Sequence, residues 1–319
     1  MQGGDEQSGE INLWNIASVS KRPQFEDFNS SRITAFSPDH SVMIYPVAST
    51  LILVDLKNGN SFPPIDGQPI GYAGSTFSSD FAYTPDGKYF ITANESLNNI
   101  LLWEAATRKL LYSYEISGEQ LEGIAISPDS QTMAVVSQGK VKLVDMTTWS
   151  ITIQFDIDIE RGYMAAFTAD GQRLVILDHS GNASVWNATS GQELNSTKIP
   201  NGMVKPVALS ANATWMAVIV DERELQVWNI ETGKEVWAYT DSGFSDISFD
   251  PWNFTFSPDG NLFAFPTGDY LLAVRETVSG KQLNIPEDLA SLGGAVVFSP
   301  DGRLLAVNSD GGLTFWSVK

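Results

Sequence analysis

The chain has 319 residues, 38 acidic against 19 basic side chains, and a formal net charge of −19. That charge opposes the positive footprint a phosphate backbone requires, so nucleic acid and anionic membrane surfaces are excluded as expected partners. The absence of cysteine removes disulfides, thiol catalysis and cysteine metal sites, and no run nears the roughly 18 continuous apolar residues of a membrane span.

Residues 1–10 read as a flexible tail with no basic, apolar or cleavage region of a signal peptide. Residues 11–16, Ile-Asn-Leu-Trp-Asn-Ile, alternate like a strand, and a second short candidate strand is Gln24-Phe-Glu-Asp-Phe28. From there a phrase of the form apolar-Ser-Pro-Asp-Gly returns seven times, beginning at Phe36, Tyr83, Ile126, Phe167, Leu209, Phe256 and Phe298. The steps of 47, 43, 41, 42, 47 and 42 residues each suit one four-stranded unit of a repeat protein.

The phrase has turn chemistry: proline presets the first central residue, aspartate suits the second, and glycine takes the left-handed position of a bulged hairpin. Short apolar runs precede it, such as Gly123-Ile-Ala-Ile126, and suit strands buried on both faces. A second strand follows, then a third with a large anchor at Trp14, Val54, Trp103, Val144, Trp186, Trp228, Val274 and Trp316. These anchors are expected to be packing between units, with no functional claim attached.

The combination of hairpin and anchored strand resembles the WD-repeat β-propeller family. The resemblance spans residues 11–319 and implies an all-β, seven-bladed β-propeller of four-stranded antiparallel blades. The position after the anchor reads Asn15, Asp55, Glu104, Asp145, Asn187, Asn229, Arg275 and Ser317, so two of eight hold the family's aspartate. The family's Gly-His pair is absent from every repeat, and the roles it carries cannot be transferred.

One domain, residues 11–319, is expected. Its C-terminal blade runs out after Leu313-Thr-Phe-Trp-Ser-Val318 and needs a fourth strand from the N-terminal region. By register Gln24–Phe28 is the expected donor, leaving residues 11–16 as an added strand or a remnant of another blade.

Reactive constellations are missing. His40 replaces the glycine of the first turn and His179 lies in a turn on the opposite face, so the two cannot form a dyad or share a metal. Asp156 and Asp158 read as a charged edge that blocks strand pairing. Asp241, Asp246 and Asp250 are weak candidates for a hard-cation site, their spacing matching no known loop. No catalytic residue or cofactor site is expected.

Function is instead expected on loops held by the scaffold. Arg32, Tyr163, Lys205, Phe244 and Trp252 come from loops that converge on a channel mouth and form a rim suited to a protein or peptide partner. The expectation is a non-enzymatic recognition scaffold, monomeric, without nucleic acid as partner. The alternatives are a propeller enzyme with a metal or cofactor at the channel mouth, resembling lactonase-type or quinoprotein-type propellers, and a glycan- or solute-binding propeller. Seven Asn-x-Ser/Thr tripeptides, against about three expected by chance, lean slightly toward an extracytoplasmic history if the chain is trimmed from a longer precursor.

Overall fold

The computed structural model describes residues 13–15, 35–47, 50–58, 60–62, 81–94, 99–116, 121–157, 162–199, 204–246, 253–269, 271–285, 296–309 and 312–318. The chain is all-β; the one helical element among the described residues that bears on the site is a single 3-10 turn, Ser242–Asp246.

The turns dictate the strands. In the third repeat the Ser127 hydroxyl donates to Asp129 Oδ1 at 2.6 Å, and the Gln131 N–H donates to the same oxygen at 3.0 Å. The Thr132 N–H then donates to Ser127 Oγ at 2.8 Å, so two side chains reverse the chain and start the next strand. The hydroxyl-to-carboxylate bond recurs from Ser37, Thr84, Thr168, Ser257 and Ser299, and Ser210 makes the same bond to the amide oxygen of Asn212. The fourth turn residue is left-handed in all seven, including His40, Ser130 and Ala213 where glycine is replaced.

Seven antiparallel sheets result among the described residues, five of four strands and two of three. We number them in chain order. Sheet 1 comprises Ala35–Phe36, Val42–Val47 and Thr50–Asp55, and sheet 2 runs from Phe81–Tyr83 to Leu110–Glu115. Sheet 3 runs from Leu121–Ile126 to Ile151–Asp156, sheet 4 from Gly162–Phe167 to Glu193–Thr197, and sheet 5 from Val204–Leu209 to Lys234–Thr240. Sheet 6 comprises Thr255–Phe256, Leu262–Pro266 and Leu272–Glu276. In the two three-stranded sheets the start of a fourth strand survives as single bridges, Val54 to Ser61 and Arg275 to Gln282.

Sheet 7 joins both ends of the chain. Val296–Phe298, Leu304–Ser309 and Gly312–Val318 are followed at the outer position by Leu13–Asn15, which pairs antiparallel with Leu13 opposite Val318 and Asn15 opposite Trp316. This corrects the expected donor. The surplus Trp-type strand, not Gln24–Phe28, occupies the fourth position, because its alternating segment satisfies the backbone groups that Gly312–Val318 would otherwise expose. Gln24–Phe28 lies outside the described residues.

Core packing lies between sheets rather than within them. Each of seven apolar clusters is shared by two successive sheets, for example Ile91 and Leu102 of sheet 2 with Leu121 and Val144 of sheet 3. The last cluster puts Ala306 and the half-buried Val297 and Phe315 of sheet 7 against Phe36, Met43 and Val54 of sheet 1. The anchors serve this packing: Trp103, Trp186, Trp228 and Trp316 are all buried, as are Val54, Val144 and Val274. Two of these indoles also donate to a neighbouring hydroxyl, Trp103 to Thr92 at 3.0 Å and Trp186 to Ser184 at 2.8 Å.

At the outer edge a second set of contacts links neighbours. The left-handed residue before the fourth strand meets an aromatic or hydroxyl group on the preceding sheet. Where it is glycine, the neighbour fills the space: a Cβ on Gly191 would fall 2.8 Å from the Phe155 ring, and one on Gly280 would fall 2.9 Å from the Trp237 indole. Where it is not, its own side chain reaches out, Arg108 lying 4.1 Å over Phe62 and Trp149 stacking on Tyr112 at 4.4 Å.

Candidate interaction rim

The rim is built where each sheet hands over to the next, at the ends opposite the Ser-Pro-Asp-Gly turns. Its best-described part is the connection leaving sheet 5. Lys234–Thr240 ends at Asp241, whose N–H donates to the Arg223 carbonyl at 2.8 Å. The Asp241 carboxylate accepts three hydrogen bonds: from the Gly243 N–H at 2.9 Å, the Gly268 N–H at 2.8 Å and the Tyr239 hydroxyl at 3.1 Å. Burial pushes its pKa up, but these donors outweigh burial and hold it below the ordinary carboxylate value. Gly243 and Gly268 approach so closely that a Cβ on Gly243 would fall 2.4 Å from the Gly268 Cα. Only glycine permits that contact, which ties the connection to sheet 6.

Phe244 is fully buried, at 0% exposure, with Tyr239 edge-on at 6.0 Å and Phe265 and Phe263 in the same cluster. The expectation that this ring faces a partner does not fit that position. Its apolar surface is spent on the core, where it pins the 3-10 turn. Beside it the Arg275 guanidinium lies 4.4 Å over the Tyr239 ring, and burial lowers its pKa.

Lys205 sits at the start of Val204–Leu209 and its Nζ lies 2.7 Å from Glu222 Oε1, so its charge is paired within sheet 5. Glu222 and Asp221 are both left-handed, in the tight turn between the second and third strands. The Tyr163 backbone lies in Gly162–Phe167, while its side chain, Arg32 and Trp252 lie outside the described residues.

Of the acidic triplet only the Asp241 side chain is described, and both of its oxygens accept hydrogen bonds from backbone and hydroxyl donors. Asp250 and the Asp246 side chain lie outside the described residues, and among the described ones no group of three or more His, Asp or Glu could hold a metal ion. Asp156 is exposed at the end of Ile151–Asp156, as a charged edge should be; Asp158 lies outside the described residues.

One relationship was missed by the sequence reading. On the face carrying the Ser-Pro-Asp-Gly turns, successive turns touch. His40 Nδ1 lies 3.4 Å from Asp301 Oδ2, the Asp86 N–H donates to Ser130 Oγ at 3.1 Å, and Asn212 donates to the Asp259 carbonyl at 3.4 Å. The signal was available, since His40 and Ser130 depart from glycine at one repeated position and Asn212 departs from aspartate at the position before it.

Sheets of this kind, anchored by Trp or Val and joined by Ser-Pro-Asp-Gly turns, define a WD-repeat-like β-propeller. A solved structure with this fold, the Myceliophteria thermophila Cps50 (Swd1) β-propeller domain, superposes with a TM-score of 0.68 at 17% identity, covering 92% of this chain and 98% of that one. The chain belongs to the family described as Outer membrane protein assembly factor BamB (PQQ_2), which matches residues 137–319, more than half of its length. Among curated proteins it is 24% identical over 197 residues to the WD repeat-containing protein SL1-17 of Schistosoma mansoni, covering 61% of this chain and 64% of that one. It is also 26% identical over 152 residues to apoptotic protease-activating factor 1 of Rattus norvegicus, covering 48% of this chain. The matched regions span just under two thirds of the first relative's length and 12% of the second's.

Proposed function

We propose that the protein is a single closed seven-bladed propeller acting as a non-enzymatic scaffold that holds a protein or peptide at the rim. Closure is supported by the apolar cluster and the His40–Asp301 contact that join sheet 7 to sheet 1. The observation that carries the functional reading is the anchorage of the sheet 5 to sheet 6 connection. Asp241 and Phe244 fix its base, so the segment that continues to Trp252 starts from a rigid platform, the preorganisation that a binding loop benefits from.

Phe244 is then a support, and the contact set is Arg32, Tyr163, Lys205 and Trp252. The family's description as an assembly factor and the WD-repeat designation of a relative suit a surface that holds other proteins. The test is affinity capture with the intact protein and a Trp252→Ala variant in parallel. A partner retained by the first and lost by the second supports the rim. Elemental analysis of the same preparation addresses the enzyme alternative: a stoichiometric metal would favour it.

A further inference from the structure

The face opposite the rim carries a groove of about 490 Å³ between sheets 3 and 4, lined by Pro128, Asp129, Phe167, Asp170, Gln172 and Thr189 among others. Its floor is the buried Phe167, and Pro128 adds an apolar wall, while the two carboxylates are exposed at its mouth. In each carboxylate one oxygen is committed to its turn: Asp129 Oδ1 to Ser127 and Gln131, Asp170 Oδ1 to Thr168 and Gln172. The other oxygen of each takes no hydrogen bond from another described residue. The Thr168 hydroxyl, helped by the Gln172 N–H, holds Asp170 below the ordinary carboxylate range, so it stays ionised.

The molecule shows what belongs in such a place. At the junction of sheets 7 and 1, the fourth residue of one turn is His40, and its imidazole lies on the Asp301 carboxylate of the preceding turn. Ser130, at the same position of its turn, spans the junction of sheets 2 and 3. At the junction of sheets 3 and 4 the corresponding residue is Gly171, which has no side chain to lay on Asp129. The slot that His40 fills at its own junction has no side chain here, as at Gly87 and Gly302, and here it opens into the groove.

We propose that this groove receives a lysine or arginine side chain from a basic segment of a partner protein. Phe167 and Pro128 would cover the methylene stem, and Asp129 and Asp170 would take the cation at the other oxygen of each. The net charge of −19 attracts such a segment from a distance. This site lies on the other face from the rim and does not depend on it.

The probe is a fluorescein-labelled arginine-rich octapeptide, measured by anisotropy at about 0.1 M salt, where long-range attraction is largely screened. Asp129→Asn with Asp170→Asn removes both charges, and the turn geometry should survive because Asn212 already performs the same role in sheet 5. Circular dichroism checks that it does. Asp86→Asn with Asp301→Asn removes the same net charge from two turns whose junctions are already filled by Ser130 and His40. We expect the groove pair to weaken binding at least tenfold and the control pair less than twofold. Thr189→Lys, which tethers a cation at the groove, should also weaken it. Equal losses in both pairs, no loss in the groove pair, or no binding of the octapeptide at 1 mM would overturn the proposal.

Discussion

His40 Nδ1 and Asp301 Oδ2 lie 3.4 Å apart, linking the first turn of the chain to the last. Both side chains are about a quarter to a third exposed, so the pair is screened and contributes less than about 1 kcal/mol. The apolar contact beneath it matters more. Phe36 meets Phe315 edge-on at 6.3 Å, within the cluster that joins sheets 1 and 7.

His40→Ala should therefore lower the thermal midpoint by only a few degrees, and Phe36→Ala by much more, with a loss of about 3–5 kcal/mol. Differential scanning calorimetry distinguishes them. Equal effects would mean that the junction is held by the His40–Asp301 contact.

Removing residues 1–30 takes away Leu13–Asn15 and exposes the backbone of Gly312–Val318. The truncated protein should melt at lower temperature or self-associate through the bared strand. Light scattering with a melting curve checks both, and a truncation that behaves like the full chain would show that the added strand is dispensable.

The turn aspartates set a pH dependence. Hydrogen bonds from Ser37 to Asp39 and from Thr168 to Asp170 depress those carboxyls, and turn donors outweigh burial to depress Asp259 and Asp301. A depressed folded-state pKa means that the unfolded chain binds protons first. The stabilisation is present above the unfolded value of about 4 and disappears as pH falls through the lower folded values. Urea midpoints should hold from pH 7 to 5 and drop below about pH 4, and a midpoint unchanged at pH 3 would contradict the assignment.

The repeated positions made most of the scaffold legible. Trp103, Val144, Trp228 and the turn glycines recur at blade intervals because each does the same work in its unit, packing between sheets or taking the left-handed turn position, so periodicity alone identified their role. What escaped was non-periodic. Phe244 is a lone aromatic in a connection, and nothing in its local sequence says that Tyr239 and Phe265 enclose it. Asp241 looked like a cation ligand because its donor Gly268 lies 27 residues further on. The strand at 13–15 was visible as a strand, but its place in sheet 7 depends on a register set more than 300 residues away.

Phe244 and Trp252 make a prediction together. Phe244→Ala should cost about 3–5 kcal/mol, as truncation of a fully buried aromatic does. Trp252→Ala should leave the melting curve near wild type and weaken a captured partner by about 2 kcal/mol or more. Calorimetry and titration on the two variants read this directly; reversed effects would exchange their roles of support and contact.

The outer-edge contacts match each described sheet flank to its neighbour. Phe155 needs the bare Gly191 beside it and Trp237 needs Gly280, whereas Tyr112 needs the indole of Trp149 to cover it. Sheets that share one turn and one anchor are thus not identical parts: at the five described junctions the outer flank of one sheet is matched to the residue its successor presents, and a consensus repeat averaged over all seven would erase those matches.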